Sequence, residues 1–127
     1  MRIFEVKAFA RFAKKARIPD AALRTAVDLA SRGMIDADLG AGVIKQRIAR
    51  KGAGKSGGFR TIIVFRLGSR AIFVHGFAKN DQGNISDREL ATFKLLAAEM
   101  LNYDDGTIAK VTLSGEFIEV SKDDDKK

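Results

Sequence analysis

The spacing of apolar residues changes along the chain, and each change predicts an element. Residues 2–6 read as a short strand. Phe9, Phe12, Ala13 and Ala16 then recur at helical spacing over residues 7–16, with Lys7, Arg11, Lys14 and Lys15 on other faces. Pro19-Asp20 opens a second helix, because proline's fixed φ suits a first turn and a carboxylate suits the positive end of the helix dipole. Leu23, Ala26, Val27 and Ala30 form its apolar stripe, and Gly33 supplies a stop. Together the two segments predict a helical hairpin with a basic outer surface.

From Val43 the period shortens to two. Ile44 and Ile48 alternate with Lys45 and Arg47 over residues 43–50, as in a half-buried strand. Residues 51–58 form a Gly-rich loop. Residues 59–67 and 70–79 are dense in β-branched and aromatic residues, and Gly68-Ser69 between them predicts a two-residue turn. That turn pairs Leu67 with Arg70 and sets Ile62 opposite His75, Arg60 opposite Phe77 and Gly58 opposite Lys79. Residues opposite each other share a face, so Arg60, His75 and Lys79 are expected on one face. Arg60 and Lys79 then lie at the hairpin's open end, where the loop carrying Lys55 emerges. A slip of one residue would put Arg60 and Lys79 on opposite faces.

Ser86-Asp87-Arg88-Glu89 reads as a capping box, followed by Leu90, Phe93, Leu96, Ala97, Met100 and Leu101 on one helical face. A short helix over 104–113 and a last strand or extended arm over 116–120 follow. Residues 121–127 are charged, lack apolar side chains and are expected to be a disordered tail. The expected fold is α+β: an antiparallel-rich β-sheet packed on an N-terminal helical hairpin with a C-terminal helix, in one domain over residues 1–120.

Composition narrows the chemistry. With 127 residues, 46% of them hydrophobic and nine of them Phe, the chain can bury one core. The absence of Cys and the single His exclude a disulfide framework, a thiol nucleophile and a zinc site built on several imidazoles. Neither a metal nor a cofactor is expected. No apolar run approaches the roughly 20 residues of a membrane span, and Met1-Arg2-Ile3-Phe4-Glu5 lacks the apolar stretch of a secretory signal. A cytoplasmic location is expected.

Charge is distributed unevenly. Residues 1–79 hold seventeen Lys/Arg against five Asp/Glu, and residues 80–127 hold six against eleven, within a net +7. No acid lies between Asp38 and Asp81, an interval that holds Lys45, Arg47, Arg50, Lys51, Lys55, Arg60, Arg66, Arg70 and Lys79. A stretch with one sign of charge repels itself, and a polyphosphate backbone relieves that repulsion. Because acids are absent rather than outnumbered, nucleic acid is favoured over a merely solvated basic face.

Ala49 to Ser56, A-R-K-G-A-G-K-S, matches a loosened nucleotide-binding loop. Such a loop needs a following helix whose amides face the phosphates, and here a strand follows. Nucleotide hydrolysis is rejected on that ground. The glycines instead bring Lys51 and Lys55 near a backbone phosphate. RNA cleavage needs a deprotonated 2′-hydroxyl, a stabilised pentavalent phosphate and a protonated leaving oxygen. Arg60 suits the second task, because its planar fork holds phosphate oxygens and never loses its charge. A lysine crowded by other cations can serve as base. His75, in an apolar strand, is either a structural imidazole or a proton carrier.

The run from Lys45 through Gly54-Lys55-Ser56-Gly57-Gly58-Phe59-Arg60-Thr61, with Phe73-x-x-Gly76-Phe77-Ala78-Lys79-Asn80, resembles a HigB-type toxin of the RelE/ParE superfamily of type II toxin–antitoxin modules. Asp36 to Gly40 and the helix from Glu89 fit the same group, and the similarity extends over most of residues 2–120. The resemblance implies a RelE-like fold and a ribosome-dependent mRNA endonuclease held inactive by a cognate antitoxin, commonly a helix-turn-helix repressor. By position, Arg60 matches a transition-state and phosphate contact, Lys79 a basic residue ending the next strand, and Lys51 and Lys55 the basic residues before the hairpin. The expected catalytic set is Arg60, Lys79, Lys55 and His75. The expected RNA contacts are Lys45, Arg47, Arg50, Lys51, Ser56 and Asn80.

Departures bear on the mechanism. RelE has Lys-Arg where this chain has Lys79-Asn80, and a C-terminal catalytic Tyr with no match here. Phe59 replaces the usual Tyr of the G-G-Y-R core, and His75 stands where relatives tend to have Tyr. Two other readings remain in view: a ParE-like toxin that acts on DNA gyrase without cutting nucleic acid, and a non-toxic RNA-binding relative.

Overall fold

The structure is a computed structural model and describes residues 1–49, 58–78 and 85–121. Its elements run β1 (Arg2–Val6), α1 (Lys7–Ala16), α2 (Asp20–Ser31), β2 (Ala37–Gly40), β3 (Val43–Ile48), β4 (Phe59–Arg66), β5 (Arg70–Ala78), α3 (Asp87–Met100), α4 (Asp105–Leu113) and β6 (Phe117–Glu119). Six strands form one mixed sheet in the order β2-β3-β4-β5-β1-β6. β1 lies parallel to β5, while its pairing with β6 and the β2–β3, β3–β4 and β4–β5 pairings are antiparallel. The α+β class and the N-terminal helical pair agree with the sequence reading. β2 is an element the periodicity did not announce.

The strand alternation divides the core in two. On one face Ile44, Ile48, Phe59, Ile63, Ala71 and Phe73 pack against Phe9 and Ala13 of α1 and Leu23, Ala26, Val27 and Ala30 of α2. On the other, Phe4, Val43, Ile62, Val64, Ile72 and Val74 pack against Ala97 and Met100 of α3 and Ile108 of α4. The sheet is therefore covered by helices on both sides, one layer more than the hairpin alone provides. α3 starts with a complete capping box, in which Ser86 Oγ accepts from Glu89 N–H at 3.1 Å and Glu89 Oε1 accepts from Ser86 N–H at 2.9 Å.

The β4–β5 turn is longer than expected. Arg66 pairs with Arg70, so the loop is Leu67-Gly68-Ser69, with Ser69 N–H donating to Arg66 C=O and Gly68 at φ +76°. Within Leu67-Gly68-Ser69 only Gly68 has a positive φ, the type II pattern, whose twist does not match a two-residue hairpin, and the strands close on three residues instead. The predicted Leu67–Arg70 pair is thus corrected. A bulge then restores the predicted register: Ile63 faces Phe73 and Ile62 faces His75, with Val74 inserted between. Beyond it Arg60 faces Phe77, as the sequence reading has it, and Phe59 faces Ala78. Gly76 sits where β5 runs under α1, and a Cβ there would come within 2.4 Å of Phe12.

One acid is buried in this scaffold. Glu5 of β1 is 6% exposed. Burial, assisted by the nearby Asp20 carboxylate, pushes its pKa up to about 7.

Candidate functional site

The site grows from strand parity. Phe59 and Thr61 are buried, Phe59 beneath the α1–α2 layer, so Arg60 between them projects from the face that carries α3. Register places two rows across β3, β4 and β5 on that face: Lys45–Ile62–His75, and beside it Arg47–Arg60–Phe77. Arg47 and Arg60 are direct cross-strand partners, an arrangement of like charges that costs stability unless an anion lies nearby.

A carboxylate supplies part of that compensation. Asp36 Oδ2 lies 3.3 Å from Arg60 Nε. Asp36 is itself placed by Gln46, a buried amide whose Oε1 accepts the Asp36 N–H at 3.0 Å. Gln46 Nε2 donates to the carbonyls of Ala26 and Met34, which ties the end of α2 to β3. The sequence reading missed this chain of contacts. Its signal was a glutamine on the apolar face of a strand, a polar group that burial obliges to find partners.

The guanidinium groups are not simply solvated. The Arg60 side chain is 20% exposed. Its Nη1 is shut off from solvent and has no hydrogen-bond partner among the described residues; Arg47 Nε is likewise buried. An unsatisfied buried donor costs about 1–3 kcal/mol. An anion set between Arg47 and Arg60 would recover that cost.

His75 lies in an aromatic group. Its ring is 5.8 Å from Phe77 and 5.7 Å from Phe93 of α3, and no hydrogen bond reaches it among the described residues. The Glu89 carboxyl is held below the usual range, chiefly by its hydrogen bonds with Ser86 and to a lesser degree by the charge of His75. The N-terminal turn of α3 therefore borders this end of the face.

Of the expected site residues, the structure brings Arg60 and Arg47 together, with Lys45 and His75 in the adjoining row. Arg50, Lys51, Lys55, Ser56, Lys79 and Asn80 lie outside the described residues, and so does the expected Gly58–Lys79 pairing. Two bases of the acid-free interval serve a different purpose. Arg66 Nη1 donates to Leu101 C=O at 3.0 Å, and Arg70 Nη1 donates to the carbonyls of Met100 and Tyr103 at 2.9 and 2.8 Å. These carbonyls lie at and just beyond the C-terminal end of α3, where cations are favoured. A cleft of about 720 Å³ opens between α2 and the β3 edge, lined by Ala22, Ala26, Leu29, Met34 and Ile48 beside Asp36 and Arg47.

Compared with protein families, the chain matches the RelE toxin of the RelE/RelB toxin–antitoxin system over residues 1–120. It belongs to that family and is a toxin of a toxin–antitoxin system. A search of curated proteins returns no match. No helix among the described residues is long and apolar enough to cross a membrane.

Proposed function

We propose that the protein is a HigB-like, ribosome-dependent mRNA endonuclease that acts in the cytoplasm through a toxin domain spanning residues 1–120. The observation that carries this reading is the cross-strand Arg47–Arg60 pair, with a buried Arg60 nitrogen lacking a partner among the described residues. In this reading the 2′-oxygen attacks the adjacent phosphorus and the 5′-oxygen leaves, giving a 2′,3′-cyclic phosphate and a 5′-hydroxyl. Arg60 holds the phosphate oxygens as charge builds on them. Arg47 and Lys45 hold the backbone on either side, and Arg50, Lys51, Ser56 and Asn80 extend that contact. Lys55 and Lys79 are the proposed base and acid, a role a lysine can take where neighbouring cations depress its pKa. His75 is the remaining proton carrier in this set. The proposed partners are mRNA on the ribosome and a cognate helix-turn-helix antitoxin. The mechanism uses no metal or cofactor.

The test is a coupled translation reaction with the purified protein, in which mRNA 5′ ends are mapped with and without ribosomes. Cuts that appear only with ribosomes and vanish with Arg60→Ala support the reading. Intact message with the wild-type protein overturns it. Inhibition of DNA supercoiling by gyrase would then favour a ParE-like action, and no effect in either reaction a non-toxic RNA-binding relative.

A further inference from the structure

The row Arg47–Arg60–Phe77 does more than gather charge. Phe77 is the direct cross-strand partner of Arg60, so an aromatic ring stands on the same sheet face immediately beside the guanidinium pair. Its ring meets that of His75, which in turn meets Phe93, and all three side chains remain partly exposed. The bulge at Val74 sets this up. Val74 enters the core under α3, and His75, the next residue, still pairs with Ile62 on that face. Were Val74 paired in regular alternation instead of bulged, parity would turn both His75 and Phe77 toward α1.

From this juxtaposition we infer that Phe77, backed by His75, is a stacking platform for an unpaired base of single-stranded RNA whose adjoining phosphate lies on Arg47 and Arg60. The inference rests on the phosphodiester reading above and adds to it the state of the substrate. A base inside a duplex has both faces covered by its neighbours, so only an unstacked nucleotide can offer a face to the ring while its phosphate reaches the arginines. His75 here is a supporting ring.

The test uses the full chain and a 2′-O-methylated RNA decamer, which cannot undergo 2′-oxygen attack, with one 2-aminopurine as a stacking reporter. Binding is measured over a salt series, and a second decamer carries an abasic site at the reporter position. The wild-type protein is expected to quench the reporter and to bind the abasic strand about tenfold more weakly. Phe77→Leu is expected to lose the quench and bind the intact strand about tenfold more weakly, with an unchanged salt slope, while Phe77→Trp keeps both. Arg47→Gln lowers the salt slope by about 0.7, one phosphate's worth for a single strand. Salt-dependent binding with no quench and equal affinity for the abasic strand overturns the platform and leaves the phosphate reading standing. No salt-dependent binding overturns the platform, and the phosphodiester reading is then decided on its own by the ribosome-dependent cleavage reaction above. The abasic comparison uses wild-type protein, so it decides the matter even if Phe77→Leu fails to fold.

Discussion

The two ends of the β4–β5 hairpin carry the same residue type on the same sheet face and use it in opposite ways. At the turn, Arg66 and Arg70 spend their hydrogen bonds on carbonyls at and just beyond the end of α3. At the open end, Arg60 has one carboxylate at 3.3 Å and a buried nitrogen with no partner among the described residues. The closed end is satisfied from within, because a helix terminus is a ready-made acceptor. The open end is left wanting an anion. Charge counted along the sequence treats Arg47 of β3, Arg60 and Arg66 of β4 and Arg70 of β5 alike, and the structure separates them by what each one faces.

Substitutions can break that contrast. Arg60→Ala should lower mRNA cleavage by about 10²–10³-fold, the scale of losing one transition-state donor, with little change in thermal stability. Single-turnover mapping of 5′ ends on programmed ribosomes checks it, and a large loss of stability instead would make Arg60 structural like Arg70. Arg70→Ala should do the reverse. Two charge-assisted bonds to carbonyls are lost, so stability falls by about 2–3 kcal/mol in urea unfolding, while cleavage per folded molecule stays constant.

Glu5 sharpens the contrast by supplying a pH response on the other face of the sheet. Its folded pKa of about 7 lies above its ordinary 4.5, so the folded state holds the proton more tightly. Its contribution is full below about pH 4.5 and is lost as pH rises toward 7. Glu5→Gln should therefore flatten this dependence and stabilise the protein at pH 8 by about 2 kcal/mol. Thermal unfolding at pH 5 and pH 8 reads it, and an unchanged difference between the two would remove Glu5 as the cause. The smallest effect belongs to Asp36→Asn. Removing this exposed negative charge beside Arg60 should tighten RNA binding about threefold at low salt and not at high salt. Weaker binding at low salt would mean that Asp36 aims Arg60 rather than competing with phosphate for it.

How much of this was legible in the sequence depends on the range of the interaction. The capping box at Ser86, the amphipathic helix over 7–16 and the Ile44/Ile48 alternation are written within a few residues of one another, and each lies where the sequence reading puts it. The hairpin register is more instructive. The turn is one residue longer than Gly68-Ser69 suggests, which alone would have turned Arg60 away from Phe77's face, and the Val74 bulge cancels the shift. The predicted Arg60–Phe77 and Ile62–His75 pairs hold because two departures compensate. The short β2 was missed because four residues containing an Asp and a Gly give too little alternation to read.

The sequence by itself determined where the strands and helices other than β2 form, which residues share a strand face and that an acid-free interval of bases surrounds the hairpin. These follow from backbone periods of 2.0 and 3.6 residues and from charge, both local properties. Only the tertiary structure decided that β1 enters parallel beside β5, that α3 covers the second face, and that Gln46 holds the Asp36 that reaches Arg60. Those outcomes depend on which distant segments bury each other's apolar faces and satisfy each other's polar atoms, and residue spacing does not encode that choice.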